Sequence, residues 1–361
     1  MSDWLTSREA VKTAAELSGD LNNPTIDRLI EAASRRIERW SRRRFLPETK
    51  TRLYRWPSSN GQRTKLYLDA DLISVTTLQS EAQNTTPTTI ASTDYFLEPN
   101  NSNPPYYVIE IDESSTAAFQ SGDTAQRSIS VLGSWGYSAD TRSLGLVDDP
   151  SGITSSETTL IVKDGSLITG VSVGDTLLIG SEQVFVVDKD FLALNPDAGG
   201  AILLDMAGNL AAEIATTTVT LDASHSVVAG EVIRINTEQM YVLRVATNDL
   251  TVVRAFNGSI LAAHTNNDAI DVARSLTIER AVNGTTAATI ADNAAVSKYE
   301  VPTNIQEWCI AEVITTLHQE SAGWGRSVGA GEGAREVTGR EIEAYRTNMI
   351  AQYQRSRSGA I

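Results

Sequence analysis

Cysteine is almost missing from this chain of 361 residues: Cys309 stands alone. An internal disulfide and a thiolate zinc site are therefore excluded, and on its apolar helical stripe the residue reads as a buried thiol. Histidine is scarce as well. His225, His264 and His318 are scattered, none lies four positions from another, and each reads as a turn or packing residue rather than a metal ligand. No stretch approaches the ~20 apolar residues of a membrane span. Met1-Ser2-Asp3-Trp4, followed by Thr6, Arg8, Glu9 and Lys12, lacks the apolar core of a signal peptide, so use without export is expected. No lysine follows a glycine, which removes a Walker A loop. Basic residues are in deficit, 30 against 45 acidic, and a net charge of −15 excludes a protein that grips nucleic acid over its whole surface.

The charge is unevenly spread. Residues 1–60 carry a balance of +4, 61–144 of −6, 145–300 of −12 and 301–361 of −1, so a basic head precedes a strongly acidic middle. In the head, Thr6-Ser-Arg-Glu9 has the form of a capping box, which predicts a helix over 7–18 closed by Gly19. Asn23-Pro24 opens a second helix, ended by Pro47, with Ile26, Leu29, Ile30, Ala33, Ile37 and Trp40 at helical spacing. Its other face holds Arg35, Arg36, Arg39, Arg42, Arg43 and Arg44, either a solvated helix face or a docking face for an acidic partner. Short β runs follow at 52–56, 65–68, 74–78, 106–111 and 128–132.

The acidic middle contains internal repeats. Gly174-Asp-Thr-Leu-Leu-Ile-Gly-Ser-Glu-Gln-Val-Phe-Val-Val187 aligns without gaps onto Gly230-Glu-Val-Ile-Arg-Ile-Asn-Thr-Glu-Gln-Met-Tyr-Val-Leu243, 56 positions on, each a predicted hairpin. Leu250-Thr-Val-Val-Arg-Ala-Phe-Asn-Gly-Ser259 and Leu276-Thr-Ile-Glu-Arg-Ala-Val-Asn-Gly-Thr285 repeat at a spacing of 26, each a strand running into an Asn-Gly turn. Helical periodicity returns over 303–321. Thr338-Gly-Arg-Glu341 opens a last helix bearing Ile342, Tyr345, Met349 and Tyr353, and a glycine hinge at 323–333 precedes it. The expected fold is α+β: a helical bundle core with short strands, formed by 1–144 and 301–361, interrupted by an all-β barrel or sandwich at 145–300.

Chemistry is thin. Gly325-Arg-Ser327-Val-Gly329 has the form of a nucleophile elbow, but it follows a helix rather than a buried strand and reads as linker. Asp188-Lys-Asp190 starts like a calcium loop without its glycine or terminal glutamate and reads as a solvated turn. No enzyme activity and no cofactor are expected.

Three segments carry a resemblance: Thr25–Trp40 with Arg44-Phe45, Gly133-Ser-Trp-Gly-Tyr-Ser-Ala-Asp-Thr141, and Val301-Pro-Thr-Asn-Ile-Gln-Glu-Trp308. Their order resembles the head–tail connector (adaptor) proteins of tailed bacteriophages, in which the second and third segments are nearly adjacent; here the β domain separates them. The resemblance implies a virion neck protein made in the host cytoplasm. It forms a ring, usually of twelve subunits, beneath the portal protein, joins the next neck or tail-completion protein, extends the DNA channel without specific DNA binding, and touches no membrane. It also implies that Arg35, Arg36, Arg39, Arg42, Arg43, Arg44, Trp324, Ile342, Tyr345, Met349 and Tyr353 make portal or subunit contacts, the hinge letting the last helix dock. The alternative is a glycan- or surface-binding β protein with a helical oligomerisation region, against which stands the lack of tryptophan in 145–300.

Overall fold

The computed structural model describes residues 3–17, 19–57, 64–102, 104–162, 168–193, 205–321, 327–328, 335–336 and 339–355, with backbone alone at 327–328, 335–336 and 339–341. The chain is mostly β, so the expectation of a helical bundle core is corrected. Two large antiparallel sheets dominate, and the described residues hold four α-helices: α1 (Arg8–Ala14), α2 (Asn23–Ser41), α3 (Thr303–Ser321) and α4 (Gly339–Tyr353). The short runs of the first half are not trimmings on a bundle. β1 (Glu48–Tyr54), β2 (Lys65–Ser80), β3 (Thr88–Ile90), β4 (Tyr95–Glu98), β5 (Tyr106–Ile111) and β6 (Ile129–Trp135) form a sheet in the order β1-β6-β2-β5-β4, with β3 on β2. Alternate residues of these strands bury a core of their own, including Leu66, Leu72, Ile109, Val131 and Trp135.

The helices make a separate layer. Ile26, Leu29, Ile30, Ala33 and Ile37 put the apolar stripe of α2 against Ile305, Trp308, Cys309 and Val313 of α3, and Trp40 stacks on Trp308 with ring centroids 5.8 Å apart. Arg42 ends α2 in the left-handed region (φ 53°). The cap of α1 differs from the expected one: the Ser7 hydroxyl, not Thr6, accepts from the Ala10 amide at 3.3 Å. Glu9 is drawn away by the loop that precedes Thr176–Ile179, accepting from the Val173 amide at 2.9 Å.

The second sheet contains β7 (Thr141–Leu146), β8 (Thr159–Ile161), β9 (Thr176–Ile179), β10 (Glu182–Ala193), β11 (Thr218–Thr220), β12 (Val232–Ile235), β13 (Glu238–Ala246), β14 (Asp249–Val253), β15 (Ile270–Glu279) and β16 (Ala295–Tyr299). Its register shows two copies of one unit, one nested in the other. Phe185 pairs Glu279 and Val186 pairs Ile278; 56 positions on in one strand and 26 back in the other, Tyr241 pairs Val253 and Val242 pairs Val252. Both copies carry a bulge at the next residue, Val187 or Leu243. The same offsets relate Val296–Ile179 to Ile270–Ile235 on the other side of the hairpin.

Barrel 1 therefore runs β8-β15-β10-β9-β16-β7 and closes through the Val147–Val162 bridge. Barrel 2 runs β11-β14-β13-β12-β15 and closes through Asp205–Ala269 and Met206–Leu221. One strand serves both: Ile270–Val272 finish barrel 2 on β12, and Ser275–Glu279 begin the return of barrel 1 on β10 and β8. Barrel 2 is thus spliced into the β10–β15 hairpin of barrel 1. Each has its own core, Val147, Leu177, Val186 and Ile278 in one matching Met206, Ile233, Val242 and Val252 in the other.

Candidate interaction site

Each barrel contains a polar corner built from the repeated Glu-Gln and Arg-Ala-x-Asn-Gly segments. In barrel 2 the Glu238 carboxylate is fully buried and accepts from Arg254 Nε at 2.7 Å and Nη2 at 2.8 Å, and from the amides of Ala255 and Ala262, both at 3.0 Å. His264 Nε2 lies 2.8 Å from it. Burial pushes this carboxyl up, but the Arg254 guanidinium and these donors outweigh it and hold it at about 2. Being ionised it can only accept, so Nε2 of His264 carries the proton. In barrel 1 Glu182 accepts from Arg280 Nε and Nη2, both at 2.7 Å, and from the amides of Ala281 at 3.0 Å and Ala288 at 3.1 Å. Ile290 stands where barrel 2 has His264, each bridging across the barrel, to Ile153 and Leu210 respectively. Ala255, Asn257, Ala281 and Asn283 all have φ of 51–55°, and Gly258 and Gly284 have φ of 74° and 77°, so each strand runs into a tight left-handed turn at the Asn-Gly pair, as expected.

Next to the carboxylates lies an amide pair. Asn283 Nδ2 donates to Gln183 Oε1 at 2.9 Å, and Asn257 Nδ2 to Gln239 Oε1 at 3.0 Å. Hydroxyls complete the match, Thr285 and Ser259 accepting from the Gln183 and Gln239 amides. The corners differ in what covers them. On barrel 1, Gln183 Nε2 donates to the Pro47 carbonyl at 3.1 Å, Arg44 Nη2 donates to Asn283 Oδ1 at 2.6 Å, and Trp4 packs edge-on against Phe185 at 5.3 Å. A side chain at Gly284 would collide with the Thr49 carbonyl. On barrel 2 the turn meets Gly19, whose Cα lies 2.9 Å from where a Cβ at Gly258 would sit. Each barrel thus abuts one end of α2, and between them opens a cleft of about 1140 Å³ bordered by Arg8, Lys189, Gln239, Tyr241, Phe256 and Asn257. Burial lowers the Lys189 ammonium, opposed by Glu9 and Asp175. Asp188-Lys189-Asp190, expected as a solvated turn, lies within β10.

The residues expected to meet a portal are largely engaged inside the chain. Arg35 and Arg44 both pair with the buried Asp3, Arg35 also reaching Glu38 at 3.2 Å. Arg36 lies 3.6 Å from Glu312. Arg43 donates to Asp71 and to the Tyr353 carbonyl, both at 2.7 Å. Arg39 and Arg42 are exposed. Met349 and Tyr353 are buried in the helical core, Tyr345 packs against it, Ile342 is half-buried, and Trp324 lies outside the described residues. Most of the hinge at 323–333 lies there too. The last helix rests on its own chain: Arg346 donates to both oxygens of Glu312 at 2.9 Å, and Arg355 donates to the Leu68 carbonyl at 2.8 Å.

Of the three histidines, His225 sits in a turn, accepting at Nδ1 from the Val227 amide at 3.1 Å, His264 belongs to the barrel 2 corner, and His318 lies in the last turn of α3. Ser327 lies in a two-residue strand paired with 335–336. Among the described residues no group of three His, Cys, Asp or Glu side chains converges as a metal-binding set, and no helix is long and apolar enough to cross a membrane. The corners were open to sequence reasoning, since the two copies keep glutamate, glutamine, arginine and asparagine at matching places. No protein-family model, no curated protein and no solved structure matches the chain.

Proposed function

We propose that the chain is a structural assembly protein, the head–tail connector of a tailed bacteriophage, carrying a nested pair of barrels as an insertion. The observation that carries this reading is the convergence of the three segments on which the resemblance rests. Trp40 of the first stacks on Trp308 of the third. Tyr137 of the second packs against Phe45 of the first at 5.8 Å and Tyr353 at 5.9 Å, and its amide donates to the Arg44 carbonyl at 2.8 Å. Segments far apart in sequence make one continuous core, as a host fold interrupted by an insertion must.

The junction supports the same reading. Thr141, where the chain leaves the Gly-Tyr segment, pairs with Tyr299, just before Val301-Pro302, so the long insertion begins and ends on neighbouring strands. A connector needs rigid shape rather than a reactive centre, and doubly bonded buried ion pairs at both barrel corners give such rigidity. An acidic chain also repels DNA that must slide past it. In this proposal the subunits form a ring, typically of twelve, beneath the portal, and Arg39 and Arg42 remain to meet acidic neighbours. Mixing the purified chain with the portal protein encoded in the same genome tests it: co-sedimentation as a ring-on-ring complex is expected, and a chain that leaves portal untouched overturns it.

A further inference from the structure

We propose that the open corner of barrel 2, formed by Gln239, Tyr241, Phe256 and Asn257, is a docking site for an extended, arginine-bearing segment of a partner protein. Barrel 1 is the template. Its corner holds residues 44–49 of its own chain through three elements: a guanidinium on Asn283 Oδ1, a backbone carbonyl on Gln183 Nε2, and a backbone seated against Gly284; in barrel 2 Gly19 takes the glycine seat, on Gly258, and the two amide positions are the ones left open. The amide pair of barrel 2 is locked in the same orientation, because Gln239 Oε1 accepts from Asn257 Nδ2 as Gln183 Oε1 does from Asn283. That bond leaves Nε2 of Gln239 as a donor and Oδ1 of Asn257 as an acceptor, the two atoms barrel 1 uses for its segment. Neither has a hydrogen-bond partner among the described residues.

Burial differs in the same sense. Phe185 and Val282 are 4% and 5% exposed under their cover, whereas their counterparts Tyr241 and Phe256 are half-buried and face each other at 5.3 Å on the cleft wall beside Val253, which is 42% exposed. The cleft, about 1140 Å³, exceeds the span of ~300–1,000 Å³ usual for binding pockets, which is room for a short segment. Its rim carries Asp20 and Asp188, 57% and 62% exposed, whose paired cations Lys12 and Arg8 stand off at 3.4 Å, so a guest arginine can reach a carboxylate there. Among the described residues, Arg44 and Trp4, the elements that fill the corner of barrel 1, are committed there. The occupant in this proposal is another protein, bound as an extended strand whose main chain supplies the acceptor and whose arginine supplies the donor. The inference stands on the barrels alone and does not depend on ring formation.

The test uses the full chain and a fluorescein-labelled peptide with the sequence of residues 44–49, Arg-Phe-Leu-Pro-Glu-Thr, followed by anisotropy. Saturation below about 1 mM is expected, as fits a few hydrogen bonds without the tether that barrel 1 enjoys. Replacing the peptide arginine by alanine, or combining Gln239→Ala with Asn257→Ala, should weaken binding about tenfold or more. Gln183→Ala should leave the affinity within about twofold. The alanine peptide leaves the protein untouched, so its loss of binding separates recognition from a folding defect. No saturation, or undiminished affinity for the alanine peptide or for the double variant, would each overturn the proposal.

Discussion

Replacing Glu238 by glutamine keeps the shape of the side chain and removes its charge from a corner where Arg254 is also fully buried. The carboxylate receives two bonds from Arg254, two from backbone amides and one from His264, and an amide cannot accept them all because half of it donates. Losing one member of a buried pair costs about 3–5 kcal/mol, a large part of the ~5–15 kcal/mol of an ordinary domain. At 1.36 kcal/mol per factor of ten, exchange of protected amides in 218–253 should accelerate roughly 10²- to 10³-fold or more. Nesting makes the consequences unequal. When barrel 2 opens, the β10–β15 hairpin of barrel 1 must close an unstructured loop of about 80 residues, 191–274, instead of a short turn. That is about five doublings of length, or ~3 kcal/mol. Glu238→Gln should therefore loosen both barrels. Glu182→Gln, striking the discontinuous host, should open 147–190 and 275–298 while the contiguous barrel 2 keeps its protection. The assay is amide exchange read by mass spectrometry, with Trp4 fluorescence as a second reporter of barrel 1 through its contact with Phe185. Acceleration below tenfold in Glu238→Gln, or equal exposure of both barrels in Glu182→Gln, would refute the reasoning.

Three further outcomes follow from the same structure. Replacing 191–274 by a Thr-Asn pair, the turn that joins β13 to β14, should leave a folded barrel 1 with unchanged Trp4 emission; a red-shifted, exposed indole would contradict the nesting. Ending the chain after Ser321 removes Met349 and Tyr353 from the helical core and Arg346 from Glu312, so a loss of more than about 4 kcal/mol is expected in urea unfolding, and unaltered stability would contradict the docked α4. Burial, then the neighbouring Asp3, raises the Glu38 carboxyl from 4.5 to about 7 against the pull of Arg44 and Arg35. Raised in the fold, this group gives its full stability below pH 4.5 and loses it between pH 4.5 and 7, so Glu38→Gln should stabilise the chain by up to about 3 kcal/mol at pH 8 and by little at pH 4. A stabilisation independent of pH would refute it.

The elements that came through clearly were those with a local signature. The stripe over 303–321 and the Asn23-Pro24 start matched α3 and α2 because helical spacing and caps act within a few residues. Strand runs were visible at 106–111 and 128–132, yet their weight in the fold was not, since β1 finds its partner β6 some 80 positions away and nothing local announces that pairing. Two expected runs, 65–68 and 74–78, are one bent strand with register shifts near Leu72. The arginines of 35–44 looked free because their neutralising carboxylates, Asp3, Asp71 and Glu312, come from distant elements. The nesting was present in the repeat spacings and is legible in hindsight: the halves of one copy begin at 174 and 276, those of the other at 230 and 250 between them. A tandem duplication would have kept one spacing throughout.

The claim on which the functional account rests is assembly, and electron microscopy of the full chain bound to the portal protein of its own genome tests it most directly. A closed ring seated coaxially on the portal, with an open central channel and the barrels on its outside, is the result the account predicts. Isolated subunits beside bare portals, or barrels lying across the channel, would contradict it.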